Sequence, residues 1–225
     1  MKYKKKVTFL IVLFFSVASN AQFTRAESII NHMKSLTTID SRIRELKGSP
    51  YMDEDFQYAK FSNHDKYFLM RYNAYQDILE INIDDSTYVL PKNLNYSVSF
   101  IEPKKTYEIF QFEELKKPTT GFFVVVFKNN NFSLLIKEKI KAFEEVLPKS
   151  GYNKYKPPTL KHIKDQIFIG YKNNTAILCP KKKRDFLKLF SNNSIEVEVY
   201  MKKNKLNFKN KLNLIQIFTF YDSLK

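Results

Sequence analysis

The sequence predicts an α+β fold: an antiparallel β-meander, or a partly open barrel or roll, of about eight to ten strands, followed by two or three C-terminal helices. Three observations point there. Short runs of Phe, Tyr, Val, Ile and Leu recur between residues 55 and 180 with Asn, Asp, Pro or Gly between them, the spacing of strands joined by turns. Residues 121–127 (GFFVVVF) are apolar at both parities, as in a central strand covered on both faces. Beyond Pro180 the apolar spacing becomes that of a helix face. At 44% hydrophobic and 16% aromatic residues, the chain has the material for a packed core.

In chain order, Ile29, Ile30, Met33 and Leu36 give residues 27–36 the period of a short amphipathic helix. A connection ends at Gly48-Ser49-Pro50-Tyr51, where Gly and Pro set a turn. Residues 67–72 and 78–83 read as strands joined across Asn73 and Asp77, the second partly alternating as a half-buried strand does. Asp84-Asp85 turns the chain into 87–90, which Pro91 ends, and strands over 96–102 and 106–112 flank Pro103-Lys104-Lys105. The best-defined hairpin joins 121–127 to 132–137 through Asn129-Asn130-Asn131. Periodicity leaves 138–146 open between strand and helix, and 148–158 (PKSGYNKYKPP) reads as a surface loop. A second hairpin pairs 165–171 with 175–178 around Asn173-Asn174, residues that tolerate positive φ. Three helical stripes follow: Phe186, Leu187 and Phe190; then Ile195, Val199 and Tyr200; then Leu214, Ile217, Phe218, Tyr221 and Leu224. The expected organisation is one domain over 22–225. It comprises a helix and turn segment (22–54), a β-rich body (55–180) and a basic helical closing segment (181–225).

Residues 1–21 read as a cleavable export signal. Lys2, Lys4, Lys5 and Lys6 precede an apolar run over 7–17, and Ser19 and Ala21 are the small residues that place cleavage after Ala21. The apolar run is about half of the roughly 20 residues that span a bilayer, so no transmembrane segment is expected in the mature chain. The expected location is therefore periplasmic or secreted. Cys179 is the only cysteine and sits between Leu178 and Pro180. That context predicts a buried thiol and excludes an internal disulfide.

The net charge of +15 is unevenly spread: residues 22–136 hold 14 basic and 15 acidic side chains, whereas 181–225 hold 11 basic and 4 acidic. Lys181, Lys182, Lys183, Arg184, Lys202, Lys203 and Lys205 are the candidate contacts for an anionic surface. Few aromatics interleave with them and no nucleic-acid motif is present, which points to anionic lipid or polysaccharide of the envelope and away from nucleic acid.

Catalytic and metal patterns are missing from the sequence. His32, His64 and His162 are far apart with no ligand-spaced partner, so no metal or cofactor is expected. The acidic pairs and triplet at 53–55, 84–85, 113–114 and 144–145 fall at turns or strand ends, where neighbours on a strand face opposite ways. The densest polar–aromatic segment is Arg71-Tyr72-Asn73-Ala74-Tyr75-Gln76-Asp77. Arg71, Tyr72 and Tyr75 are its candidate ligand contacts, with a turn capped by Asn73 and Asp77 as the structural alternative.

Gly48-Ser49-Pro50-Tyr51, the 71–77 segment, Asp185-Phe186-Leu187-Lys188-Leu189-Phe190 and Phe220-Tyr221-Asp222-Ser223-Leu224 together resemble a group of small exported Bacteroidota proteins of unknown function. The resemblance implies an envelope or secreted location and supplies no activity or catalytic residues to carry over. Asp85-Ser86-Thr87 and Asp222-Ser223-Leu224 resemble the O-glycosylation triplet of such exported proteins. The expected function is a non-enzymatic envelope or secreted binding module with a basic C-terminal surface. The alternative is a carrier holding a lipid or acyl chain between a curved sheet and its closing helices.

Overall fold

The computed structural model describes residues 34–35, 46–62, 64–93, 95–129, 131–148 and 154–224. The first strands are β1 (Lys34–Ser35), β2 (Gln57–Phe61), β3 (Phe68–Asn73), β4 (Ile78–Ile83) and β5 (Ser86–Val89). They are followed by β6 (Ser97–Phe100), β7 (Thr106–Glu114), β8 (Lys117–Lys128) and β9 (Phe132–Lys137). The last strands are β10 (Ile140–Phe143), β11 (Thr159–His162), β12 (Gln166–Tyr171) and β13 (Ala176–Leu178). Then come α1 (Lys183–Leu187), 3-10 turns over Lys188–Asn193, α2 (Ser194–Lys203) and α3 (Lys211–Asp222). A mostly antiparallel open sheet followed by C-terminal helices is the α+β arrangement the sequence predicts.

The export signal, most of the helix expected at 27–36, His32, Asn130 and the middle of the 148–158 loop lie outside the described residues. Lys34 and Ser35, read as part of that helix, instead pair with Val89 and Tyr88 of β5. There they cover hydrogen-bonding groups that an edge strand otherwise leaves open. The undecided stretch at 138–146 forms β10, which pairs with β11 as a separate two-stranded ribbon.

Among the described residues, eleven strands form one sheet in the order β1-β5-β4-β3-β2-β6-β7-β8-β9-β12-β13. From β2 to β9 the meander is broken once: β2 pairs with both β3 and β6, so the link after β5 returns to the far side of β2. Curling of the sheet permits this return. Tyr72 on β3 and Tyr107 on β7 have two strands between them, yet their ring centroids are 4.8 Å apart.

Strands β7 and β8 form a wall between two apolar cores. Phe122 and Val124 face a core with Met70, Tyr72, Leu79 and Ile81, which the ribbon closes with Ile140 and Leu160. Phe123 faces the other way, into a core with Phe110, Phe112, Leu135 and Phe168. Its rings meet edge to face at centroid separations of 5.0–5.9 Å, the arrangement that ring quadrupoles favour. A Cβ on Gly170 would stand 2.7 Å from Phe110 Cε1 and 2.8 Å from Leu135 Cδ1. Around this second core the last strands bend back until Gln111 of β7 forms a single parallel bridge with Thr175.

A bulge between Val125 and Phe127 puts one extra residue into β8. Beyond it, Val126 and Phe127 both join a third core under the helices. There Phe132 and Ile169 of the sheet meet Phe186, Phe190, Leu214, Ile217 and Phe218. The third stripe packs as its period predicts, with Leu214, Ile217, Phe218 and Tyr221 buried. The α2 stripe does not: Ile195 and Val199 are 73% and 58% exposed, and Val197 and Met201 are buried instead. Ser191, with φ 47°, ends the preceding turn and resets the entry of α2. Tyr200, stacked on Phe220 at 3.9 Å, is consistent with that rotation. Among the described residues, no helix is long and apolar enough to cross a membrane.

Candidate functional site

The 71–77 segment lies at the β3–β4 turn, where the structure brings it against Tyr51 and Glu80. Arg71 Nε donates to Glu80 Oε2 at 2.8 Å, Nη2 to Tyr51 Oη at 2.7 Å and Nη1 to the Glu54 carbonyl at 3.1 Å. The guanidinium carbon lies 3.7 Å from the Tyr51 ring centroid and 4.3 Å from that of Phe56. Both ring faces and the fork of donors are thus held by the protein itself. Tyr75 packs against the first core, and its N–H donates to the Pro50 carbonyl. Asn73 Oδ1 accepts from the Gln76 N–H at 3.0 Å, a side chain fastening its own turn. The cavity between Arg71, Tyr72, Lys105 and Tyr107 measures about 10 Å³, room for roughly one water.

Tyr72 is only 3% exposed and points to a second cluster, centred on Asp77. Asp77 Oδ1 accepts from Tyr72 Oη at 2.7 Å, from Lys137 Nζ at 2.6 Å and from the Phe122 N–H at 3.2 Å. Oδ2 accepts from Lys92 Nζ at 2.9 Å. Lys137 also donates to the Phe122 carbonyl at 2.8 Å and lies 4.8 Å from the Phe123 ring centroid. Burial pulls the Lys137 ammonium down to about 8 from its ordinary 10.5, against the opposing pull of Asp77. Burial, then the Asp77 carboxylate, raises Tyr72 well above its ordinary 10. A Cβ on Gly121 would stand 2.6 Å from Asp77 Oδ2 and 2.7 Å from Lys137 Nζ, so this glycine makes space for the pair.

A buried carboxylate, Glu138, accepts from Tyr107 Oη at 2.6 Å and from Lys105 Nζ at 2.8 Å. Burial and Glu138 raise Tyr107 well above 10. These groups join the β3–β4 turn, β7, β8 and β9 by bonding one another. Sequence reading missed Lys137 and Glu138. The available signal was the parity of β9: Ser133 and Leu135 are buried, and Lys137 shares their side of the strand.

The basic candidates lie on the helical layer. Lys183 and Lys202 converge on Glu198, at 3.0 and 3.1 Å from Oε1. These two lysines draw the Glu198 carboxyl below its ordinary value, hydrogen bonding first and charge second. Lys188 pairs with Asp185 at 3.0 Å. Lys181, Lys182, Arg184, Lys203, Lys205 and Lys211 are exposed, and none is in an ion pair among the described residues. Between α1 and α2 lies an open depression of about 640 Å³ edged by Lys183, Arg184, Lys188 and Glu198.

Comparison with protein families, with curated proteins and with solved structures found no match. The geometry therefore carries the functional reading. His162 lies 2.8 Å from Asp165 in an exposed pair, and His64 Nδ1 accepts from the Lys66 N–H. Among the described residues, no group of three His, Cys, Asp or Glu is placed to hold a metal. Cys179 packs at the edge of the helical core, and burial pushes its thiol up to about 11, which keeps it protonated and unreactive at neutral pH.

Proposed function

We propose that the chain is exported, cut after Ala21, and acts in the envelope or outside the cell as a non-enzymatic binding module. Its helical layer holds an anionic partner. The carrying observation is the charge balance of the helical layer. Residues 181–225 hold 11 basic and 4 acidic side chains, against 14 and 15 in residues 22–136. Lys181, Lys182, Arg184, Lys203, Lys205, Lys209 and Lys211 are exposed, and none is in an ion pair among the described residues. Like charges held on one face raise a positive potential that attracts polyanions. The leader-like residues 1–21 and the resemblance to exported Bacteroidota proteins support the location.

The test is retention on dextran sulfate beads against neutral dextran, across a salt series. Retention should be specific to the sulfated matrix and fall away near 1 M salt, where the Debye length is about 3 Å. Reversing Lys181, Lys182 and Arg184 to Glu should abolish it. The same reversal at Lys66, Lys116 and Lys117 on the β-rich body should leave it largely intact. Equal loss in both variants would show that net charge, not this face, is responsible. The location is tested by the mass of the exported chain, which should begin at Gln22.

A further inference from the structure

We infer that the anionic partner is a lipid surface, and that α2 inserts Ile195 and Val199 into it. This rests on the reading of the helical layer as an anion-binding face and names the partner. Ile195 and Val199 are one helical turn apart, on the side of α2 away from buried Val197 and Met201. Lys202 and Lys203 follow on that outward side, and Arg184 and Lys188 edge the adjoining depression. Glu196 and Glu198 flank the aliphatic pair, and Glu198 is held by Lys183 and Lys202. The basic residues lie at the C-terminal end of α2 and along the depression, a mixed apolar and cationic edge that a bilayer interface accommodates. An acidic polysaccharide would answer the lysines but gain nothing from two protruding aliphatic groups. A second copy of the chain would answer the aliphatic groups but set two basic faces against each other.

Magnitudes separate these partners. Each basic residue near an anionic leaflet strengthens binding roughly fivefold. Full burial of one Ile or Val side chain adds roughly tenfold or more. Charge sets whether the protein comes to the surface, and the two aliphatic residues set how firmly it stays.

The experiment uses the chain as the producing cell leaves it, with vesicles of phosphatidylcholine alone or mixed with phosphatidylglycerol. The expected result is co-sedimentation with the mixed vesicles only. Ile195→Ser with Val199→Ser should weaken it by about a hundredfold while retention on dextran sulfate is unchanged. The chain contains no tryptophan, so Val199→Trp supplies a single indole that can be excited apart from the tyrosines. Its fluorescence should shift to the blue on mixed vesicles and be quenched by brominated acyl chains. Retention on dextran sulfate with no binding to mixed vesicles, or equal vesicle binding by the serine variant, would overturn the lipid assignment and leave the anionic reading standing. Loss of both vesicle and dextran sulfate binding in the unmodified chain would overturn both. Both positions are exposed, so an unchanged melting curve will separate lost binding from lost fold.

Discussion

At the scale of single residues, Asp77 has the largest structural role of the polar groups. It sits at φ 56°, a left-handed turn position that Asp and Asn accept more readily than most residues. Its carboxylate then faces two ammonium groups, a phenol and a backbone N–H. Asp77→Asn keeps the turn and removes the charge, so it isolates the electrostatic role. It leaves the Lys137 ammonium, 6% exposed at its side chain, without its carboxylate partner. We expect a loss of about 3–5 kcal/mol in urea unfolding. Adding Lys137→Met should recover most of it, because the penalty comes from the orphaned charge and not from lost volume. No recovery in the double variant would mean that the turn itself depends on the carboxylate. The sequence reading placed Asp77 at a turn and Arg71 beside aromatic rings. It did not foresee that Glu80, 29 positions from Tyr51 in sequence, completes the Arg71 cluster. Glu80 stands opposite Arg71 in the β3–β4 register, whereas Tyr51 is brought in from outside the hairpin, and no local pattern encodes that third member.

At the scale of elements, what could be read depended on whether a segment carried its own periodicity. The β8–β9 hairpin was legible because its strands are long and apolar, and Asn129 accepts from the N–H groups of Asn131 and Phe132 to close the turn. Strand β2 and the β10–β11 ribbon were not, since QYAKF, IKAF and TLKH are short and mixed in polarity. Their place is decided by tertiary neighbours. The helices were legible in number, and in phase except for α2. Met201→Ala should cost about 2–5 kcal/mol, whereas Ile195→Ala should stay within about 0.5 kcal/mol; thermal melts of the two variants check the assignment of the α2 faces. Equal losses would return Ile195 to the core. The β7–β8 turn holds a different kind of surprise. Leu115 and Lys116 both have positive φ, at 51° and 63°, and Leu115 is 92% exposed. Such a turn favours Asn-Gly. Replacing the pair by Leu115→Asn and Lys116→Gly should raise stability by about 1 kcal/mol, read from the urea midpoint.

At the scale of the whole molecule, one chain has divided its polar chemistry between an inside and an outside. The two strands at the dividing wall, β7 and β8, carry apolar cores on opposite faces, and the Phe122 N–H on Asp77, with the Asp77–Lys137 ion pair beside it, ties that wall to the β3–β4 turn. This arrangement has a signature in alkaline solution. Folding lowers the Lys137 amine to about 8 from 10.5, so between those values the unfolded chain holds a proton that the folded chain has released. Stability from this group therefore rises with pH across that window, and below it contributes no slope. Cys179, raised to about 11 from 9.0, works in the opposite sense from pH 9 upward. Tyr72, Tyr96 and Tyr107, raised above 10 by burial, do the same from about pH 10, because the folded chain keeps protons the unfolded chain loses. The absolute profile mixes these terms. The difference between the unmodified chain and Lys137→Met isolates the first. Unfolding free energies of the two proteins between pH 8 and 10 should diverge in favour of the unmodified chain by on the order of 2 kcal/mol. Parallel curves would mean that Lys137 titrates as a solvated amine, and that the cluster around Asp77 does not exclude water as its geometry requires.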